Sequence, residues 1–131
     1  SLWQDADRKA INVRSWLPAE DAPIAMATLL QRDVVVRAGK DGAYFTRYAD
    51  SAELTSTHVP ALSIEAIDTN GAGDAHTGVL AACLAEGMPM ERGLLLANCA
   101  GALSTTVVGP ASCPPRPQIE AAADAPAEQE D

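Results

Sequence analysis

The chain has 131 residues, 47% hydrophobic and 4% aromatic, with nine Lys and Arg against 18 Asp and Glu and a net charge of −9. This suits one packed domain resting on Ala, Val, Leu and Ile, and it is too apolar for a disordered polypeptide. The acidic balance and scattered bases exclude the basic face that non-specific nucleic-acid binding needs.

Five of the acids crowd the end: Glu120, Asp124, Glu128, Glu130 and Asp131. Up to Gln118, 13 acids face nine bases, a balance of −4. The three cysteines, Cys83, Cys99 and Cys113, are odd in number and form no CxxC pair, so neither a disulfide framework nor a zinc knuckle is indicated. Reduced thiols and a cytoplasmic location are the expectation. No signal peptide opens the chain, and no apolar run is long enough to span a bilayer. The start at Ser1, without Met, predicts a fragment or a processed product. Residues 1–126 are expected to form one α/β domain and residues 127–131 a disordered acidic tail.

Residues 1–17 carry apolar anchors without a clean period, and Ile11-Asn12-Val13 reads as a short strand. A helix is predicted from Pro18 or Asp21 to Gln31, with Pro and acids in its first turn. Val34-Val35-Val36, β-branched and directly after a helix, reads as a buried strand of a parallel sheet. Gly39-Lys40-Asp41-Gly42 makes a turn into a second strand, Ala43 to Tyr48, which together suggest a hairpin. A polar connection follows from Ala49 to Ser56. Thr57 to Pro60 is another short strand, ended or placed on an edge by Pro60.

Ser63 to Ile67 is strand-like and feeds Asp68-Thr69-Asn70-Gly71-Ala72-Gly73-Asp74. A helix leaves this stretch over Ala75 to Glu86, its apolar face marked by Ala72, Ala75, Val79, Leu80 and Cys83. Gly78 inside it costs about 1 kcal/mol against Ala, which a close packing partner would explain. Gly87 and Pro89 stop the helix. Met90 to Val107 reads as a second helix, apolar on nearly every side and therefore deeply buried. Gly109-Pro110 ends it. Pro114, Pro115 and Pro117 stiffen the connection to a last short helix, Gln118 to Ala125.

The Asp68–Asp74 stretch carries the chemistry. Two glycines two apart let the backbone turn tightly, and the following helix adds unpaired N–H groups and the positive end of its dipole. Such a place attracts anions, phosphate above all. Asp74 there is either a helix cap or a base beside a bound phosphate. Two rival phosphate loops fail. Gly73 plus five is Gly78, but Val79 follows it where a Walker-type loop needs Lys. A dinucleotide fingerprint needs a third glycine at position 76, which is His76.

All six specified positions of Asp68-Thr69-Asn70-Gly71-Ala72-Gly73-Asp74 match Asp-Thr-x-Gly-Ala-Gly-Asp. The stretch thus resembles the C-terminal signature of the ribokinase-like (PfkB-type) carbohydrate kinases. The layout from about Val34 to Gln118 agrees. The resemblance implies a three-layer αβα fold, of which this chain would be the C-terminal half: parallel strands plus a hairpin, with helices on the faces. It implies ATP-dependent phosphorylation of a sugar hydroxyl. Nucleoside and vitamin-precursor kinases share the signature, and a catalytically inactive nucleotide-binding fragment is the other alternative.

In such a kinase Asp74 would take the proton of the substrate hydroxyl, and the N–H groups of Gly71, Ala72 and Gly73 would form the anion hole. Asp68 and Asn70 would help hold a monovalent cation, K+, with a loop near Thr105, Val108, Gly109 and Cys113; an ordinary Asx turn is the alternative. Gly39-Lys40-Asp41-Gly42 resembles the family's nucleotide-binding turn, with Arg37 in place of its usual Thr, so Arg37, Gly39, Lys40 and Gly42 would meet ATP. A plain hairpin turn is the alternative. Asn98, a buried amide that needs partners, would find them in the adenine or ribose, or in a neighbouring carbonyl. His76 departs from the usual Phe and reads as a packed histidine; His58 reads as structural.

Implied cofactors are ATP and Mg2+. The implied partner is a small sugar or sugar-like substrate, with no nucleic acid and no membrane, and a homodimer is one expectation for the complete protein. Family members are substantially longer, and their sugar-binding residues lie upstream of the region covered here. Their Asn-x-x-Glu motif has no match; the nearest run, Asn12-Val13-Arg14-Ser15, ends in Ser.

Overall fold

The computed structural model describes residues 18–50, 52–109 and 112–125. The expected strand at Ile11–Val13 and the acidic tail 127–131 lie outside them. The described residues fall into two compact units, divided between Val59 and Pro60.

In the first unit, helix α1 (Ala22–Leu30) follows Asp21 and carries Pro in its first positions, where a missing N–H is harmless. It closes on Gln31 in the left-handed region, φ 54°, whose N–H donates to Ala27 O at 2.8 Å. Three strands follow: β1 (Val34–Arg37), β2 (Ala43–Thr46) and β3 (Thr57–Val59), in that order in one sheet. Val34 pairs with Thr46 and Arg37 with Ala43, which is the expected hairpin. β3 extends it, with Ala43 opposite Val59 and Tyr44 opposite His58. Ala22 and Ala27 of α1 are buried with Val34, Ala43, Phe45 and Val59.

Val34–Val36 is therefore a strand, but both described ladders are antiparallel. The physical reason is the tight turn after Arg37, which brings the chain straight back along β1.

The second unit holds α2 (Ala72–Ala85), α3 (Met90–Ser104) and α4 (Arg116–Asp124). Gly87 at φ 79° and Pro89 separate α2 from α3, as expected. Cys83, Leu96, Cys99, Ala100 and Ile119 form the buried centre, with Leu62, Val79, Met88 and Leu95 packed against it. Burying a Leu side chain stabilises by about 1.5–3 kcal/mol, so Leu94 and Leu96, both fully buried, are major contributors. Surface ion pairs tie α4 to the helix pair: Arg92 to Asp124 at 2.7 and 3.2 Å, and Arg116 to Glu86 at 2.6 and 3.3 Å.

The structure corrects three further sequence expectations. Ser63–Ile67 forms no strand; the N–H groups of Ile67 and Asp68 instead share Thr105 O, at 2.8 and 2.9 Å. Gly78 has no close packing partner, since a Cβ there would meet nothing within 4 Å. The close approach falls on α3: a Cβ at Gly93 would lie 3.4 Å from Cys83 Cβ, and one at Gly101 would lie 3.3 Å from Ala72 O. Finally, α3 stops at Ser104 rather than Val107. Ser104, Thr105 and Thr106 turn their hydroxyls back onto the carbonyls of Gly101, Ala102 and Leu103, at 2.7, 2.6 and 2.7 Å. Such bonds satisfy the carbonyls left over at a helix end.

Candidate active site

The signature occupies the entry to α2. Gly71 is the N-cap at φ 82° and ψ −4°, a conformation costly for any residue with a Cβ. Ala75 N–H donates to Gly71 O at 2.9 Å, the first helical bond. Ala72 N–H makes a long 3.3 Å bond to Thr69 O, which an arriving anion would have to replace. Gly73 and Asp74 are exposed. Asp74 lies in the first turn of α2, and no side chain caps the helix. The carboxylate therefore sits at the positive end of the helix without being a cap.

Asp68 does different work. Its Oδ1 accepts the Asn70 N–H at 2.9 Å and its Oδ2 accepts the Gly109 N–H at 3.0 Å. The carboxylate thus clamps the signature to the turn after α3. These bonds, Gly109 first, hold its pKa below the ordinary carboxylate value. The single Ser112 hydroxyl hydrogen is shared between Ser104 O at 2.8 Å and Gly109 O at 3.0 Å, closing the same turn. Asp68, Asn70, Thr105 and Gly109, expected at a cation site, are thereby brought together. Thr105 O accepts two N–H bonds, and Gly109 O accepts the Ser112 hydroxyl, so these oxygens are already engaged. Val108 lies exposed beside them, and the exposed Cys113 thiol lines a different surface.

That surface is an open groove of about 410 Å³ along α2. Gly71, Asp74 and Gly78 line one side, and Cys113, Pro114 and Arg116 the other. Among the described residues, no group of three or more His, Cys, Asp and Glu is placed to hold a metal ion.

Behind the signature, Asn98 of α3 is 4% exposed and His76 of α2 is 7% exposed. Asn98 Nδ2–H donates to Pro60 O at 3.2 Å, which turns its Oδ1 toward His76 Nε2 at 2.8 Å. A carbonyl only accepts, so the amide's orientation is set by Pro60, and His76 must carry its hydrogen on Nε2. The partners that a buried amide needs come from the chain itself.

In the first unit, Gly39–Asp41 forms a single tight helical turn. Gly39 at φ 56° and Gly42 at φ 93° hold left-handed conformations, which accounts for both glycines. Ala38 N–H donates to Gly42 O at 2.8 Å and Asp41 N–H to Ala38 O at 3.0 Å. Arg37 and Lys40 are exposed on either side of Gly39. His58 Nε2 lies 2.6 Å from Asp41 O.

Sequence reasoning missed His58 at this turn, and also the clamp through Ser112 and the Pro60 carbonyl. Only Ser112, a small hydroxyl residue just past a Gly-Pro helix stop, carried a local signal.

A glycine turn opens α2 with a carboxylate in its first turn, a backbone arrangement suited to an anion. Residues 17–117 match the pfkB family carbohydrate kinases, and the chain belongs to that family. It is 38% identical over 109 residues to the bifunctional protein HldE of Acidiphilium cryptum, spanning 80% of this chain and 22% of that one. A putative ribokinase from Agrobacterium tumefaciens superposes with a TM-score of 0.78 at 29% identity, covering 87% of this chain and 37% of that one. A putative ribokinase II from Escherichia coli, solved in complex with ATP and Mg2+, gives 0.65 at 32% identity, covering 75% and 32%. The fold is thus ribokinase-like. The chain spans about a fifth to just over a third of the length of these proteins.

Proposed function

We propose that this chain supplies the ATP-binding half and the catalytic base of a sugar kinase. The observation that carries the proposal is Asp74: an exposed carboxylate, uncommitted as a cap, in the first turn behind Gly71 and beside an open groove. The acceptor hydroxyl would give its proton to Asp74 as its oxygen attacks the γ-phosphorus of ATP. The bond from that phosphorus to the bridging oxygen breaks, and ADP leaves. The N–H groups at Gly71, Ala72 and Gly73, with the helix dipole, would stabilise the negative charge on the transferring group. Mg2+ would arrive on the nucleotide phosphates and offset their charge there.

Arg37, Gly39, Lys40 and Gly42 would bind the nucleotide. Asn98 would contribute from behind, by holding the first turn of α2 through His76. A K+ ion near Thr105 and Gly109 would require their carbonyls to exchange the hydrogen bonds they now accept.

Calorimetry with ATP and Mg2+, followed by transfer of labelled phosphate over a panel of sugars and nucleosides, tests the proposal. Binding with transfer supports it, and the preferred acceptor names the substrate class. Absence of ATP binding contradicts it. A second reading, nucleotide binding without transfer, is favoured by Arg37 and His76, which stand where the family usually has Thr and Phe. Binding with no transfer to any acceptor would select it.

A further inference from the structure

We infer that His58 is a positioning residue for the Gly39–Gly42 turn, holding it in the shape that receives ATP; this rests on the nucleotide role given to that turn above. The turn closes on itself through Ala38 N–H to Gly42 O and Asp41 N–H to Ala38 O, and His58 adds a hold from β3. The turn's two left-handed glycines are the least restricted residues a backbone can have, and Gly39, Lys40 and Asp41 all lie exposed. The Asp41 carbonyl stands at the turn's exit. His58 Nε2 meets it at 2.6 Å. A carbonyl has no hydrogen to give, so Nε2 is the donor.

The imidazole is itself held. Tyr44 and His58 are cross-strand partners in β2 and β3, and their rings stack at 4.4 Å between centroids with 16° between planes. The stack thus orients the donor, and the donor holds the turn. A turn already fixed in its bound shape loses less conformational freedom when the nucleotide arrives.

The test separates the ring from the donor. His58→Phe keeps a ring for Tyr44 but has no N–H, whereas His58→Gln restores an N–H without the ring. Calorimetric ATP binding in the presence of Mg2+ is expected to weaken about three- to tenfold in the Phe variant, the size of one lost hydrogen bond. The Gln variant should recover part of it. With no nucleotide present, amide exchange at Lys40, Asp41 and Gly42 should quicken in the Phe variant at unchanged thermal midpoint. Wild-type ATP affinity together with wild-type exchange would overturn the inference. Should the unmutated chain fail to bind ATP, the nucleotide reading falls, and the exchange rates alone decide the brace. If the Phe variant does not fold, a Gln variant with no gain in exchange over wild type supports the brace, and about tenfold faster exchange overturns it.

Discussion

His76 and Asn98 bridge α2 and α3 immediately behind the signature, with Nε2 and Oδ1 2.8 Å apart and both side chains buried. Pro60 O holds the other end of the amide. Truncating one partner strands the other without water. Asn98→Leu should therefore lower unfolding stability by about 1–3 kcal/mol. His76→Phe with Asn98→Leu should cost less than the two single changes added together, a coupling of about 0.5–3 kcal/mol. Urea unfolding of the four proteins checks this. Strict additivity would mean that the pair does not act as one unit.

Gly101 is the point where α3 approaches the signature. A Cβ there would sit 3.3 Å from Ala72 O, and the obstructing atom is backbone rather than a flexible tip. Gly101→Ala should destabilise by about 1–3 kcal/mol through overpacking, despite the better helix propensity of Ala. It should also weaken phosphate or ATP binding, because the atom displaced belongs to the turn proposed to hold the phosphate. Calorimetry and thermal unfolding of one sample read both effects.

Gly78 gives the opposite expectation. It lies in α2 with open space where a Cβ would go. Gly78→Ala should raise stability by about 0.5–1 kcal/mol, a gain of helix propensity and a loss of unfolded-state freedom. A fall in thermal midpoint would contradict the open space beside Gly78.

Asp68 ties stability to acid pH. Its folded pKa lies below its ordinary value of 3.8, because the Gly109 and Asn70 N–H groups favour the charged form. Its contribution is therefore fully present above that value. It is lost as the pH falls through the lower folded value. Asp68→Asn should unfold at a lower temperature than the parent at neutral pH, and the gap should narrow only below about pH 4. A gap that stays constant down to pH 2 would contradict the clamp. So would one that narrows between pH 6 and 8.

Local pattern made much of this legible. The helices announce themselves through Gly87, Pro89 and Pro117, and the hairpin through Gly39 and Gly42, because these residues act on their own backbone. The signature is equally local, a single turn read from seven consecutive residues. What could not be read depends on distant partners. Ser63–Ile67 has strand composition, but a strand also needs a neighbour, and the N–H groups of Ile67 and Asp68 find Thr105 O instead. His76 and Asn98 are 22 residues apart, and Pro60 is 38 from Asn98, so nothing in the spacing marks them as one network. Gly78 invited a packing explanation, but Gly93 and Gly101, which do permit the close crossing, look no different in sequence.

Asp74 is proposed as the base of a phosphoryl transfer. The measurement that tests it most directly is sugar phosphorylation by the longest polypeptide that carries this chain, compared with its Asp74→Asn variant under saturating ATP and Mg2+. The account predicts that turnover falls at least ~100-fold, the scale of a lost general base, while calorimetric ATP affinity and the thermal midpoint stay close to the parent. Turnover within about twofold of the parent would contradict it.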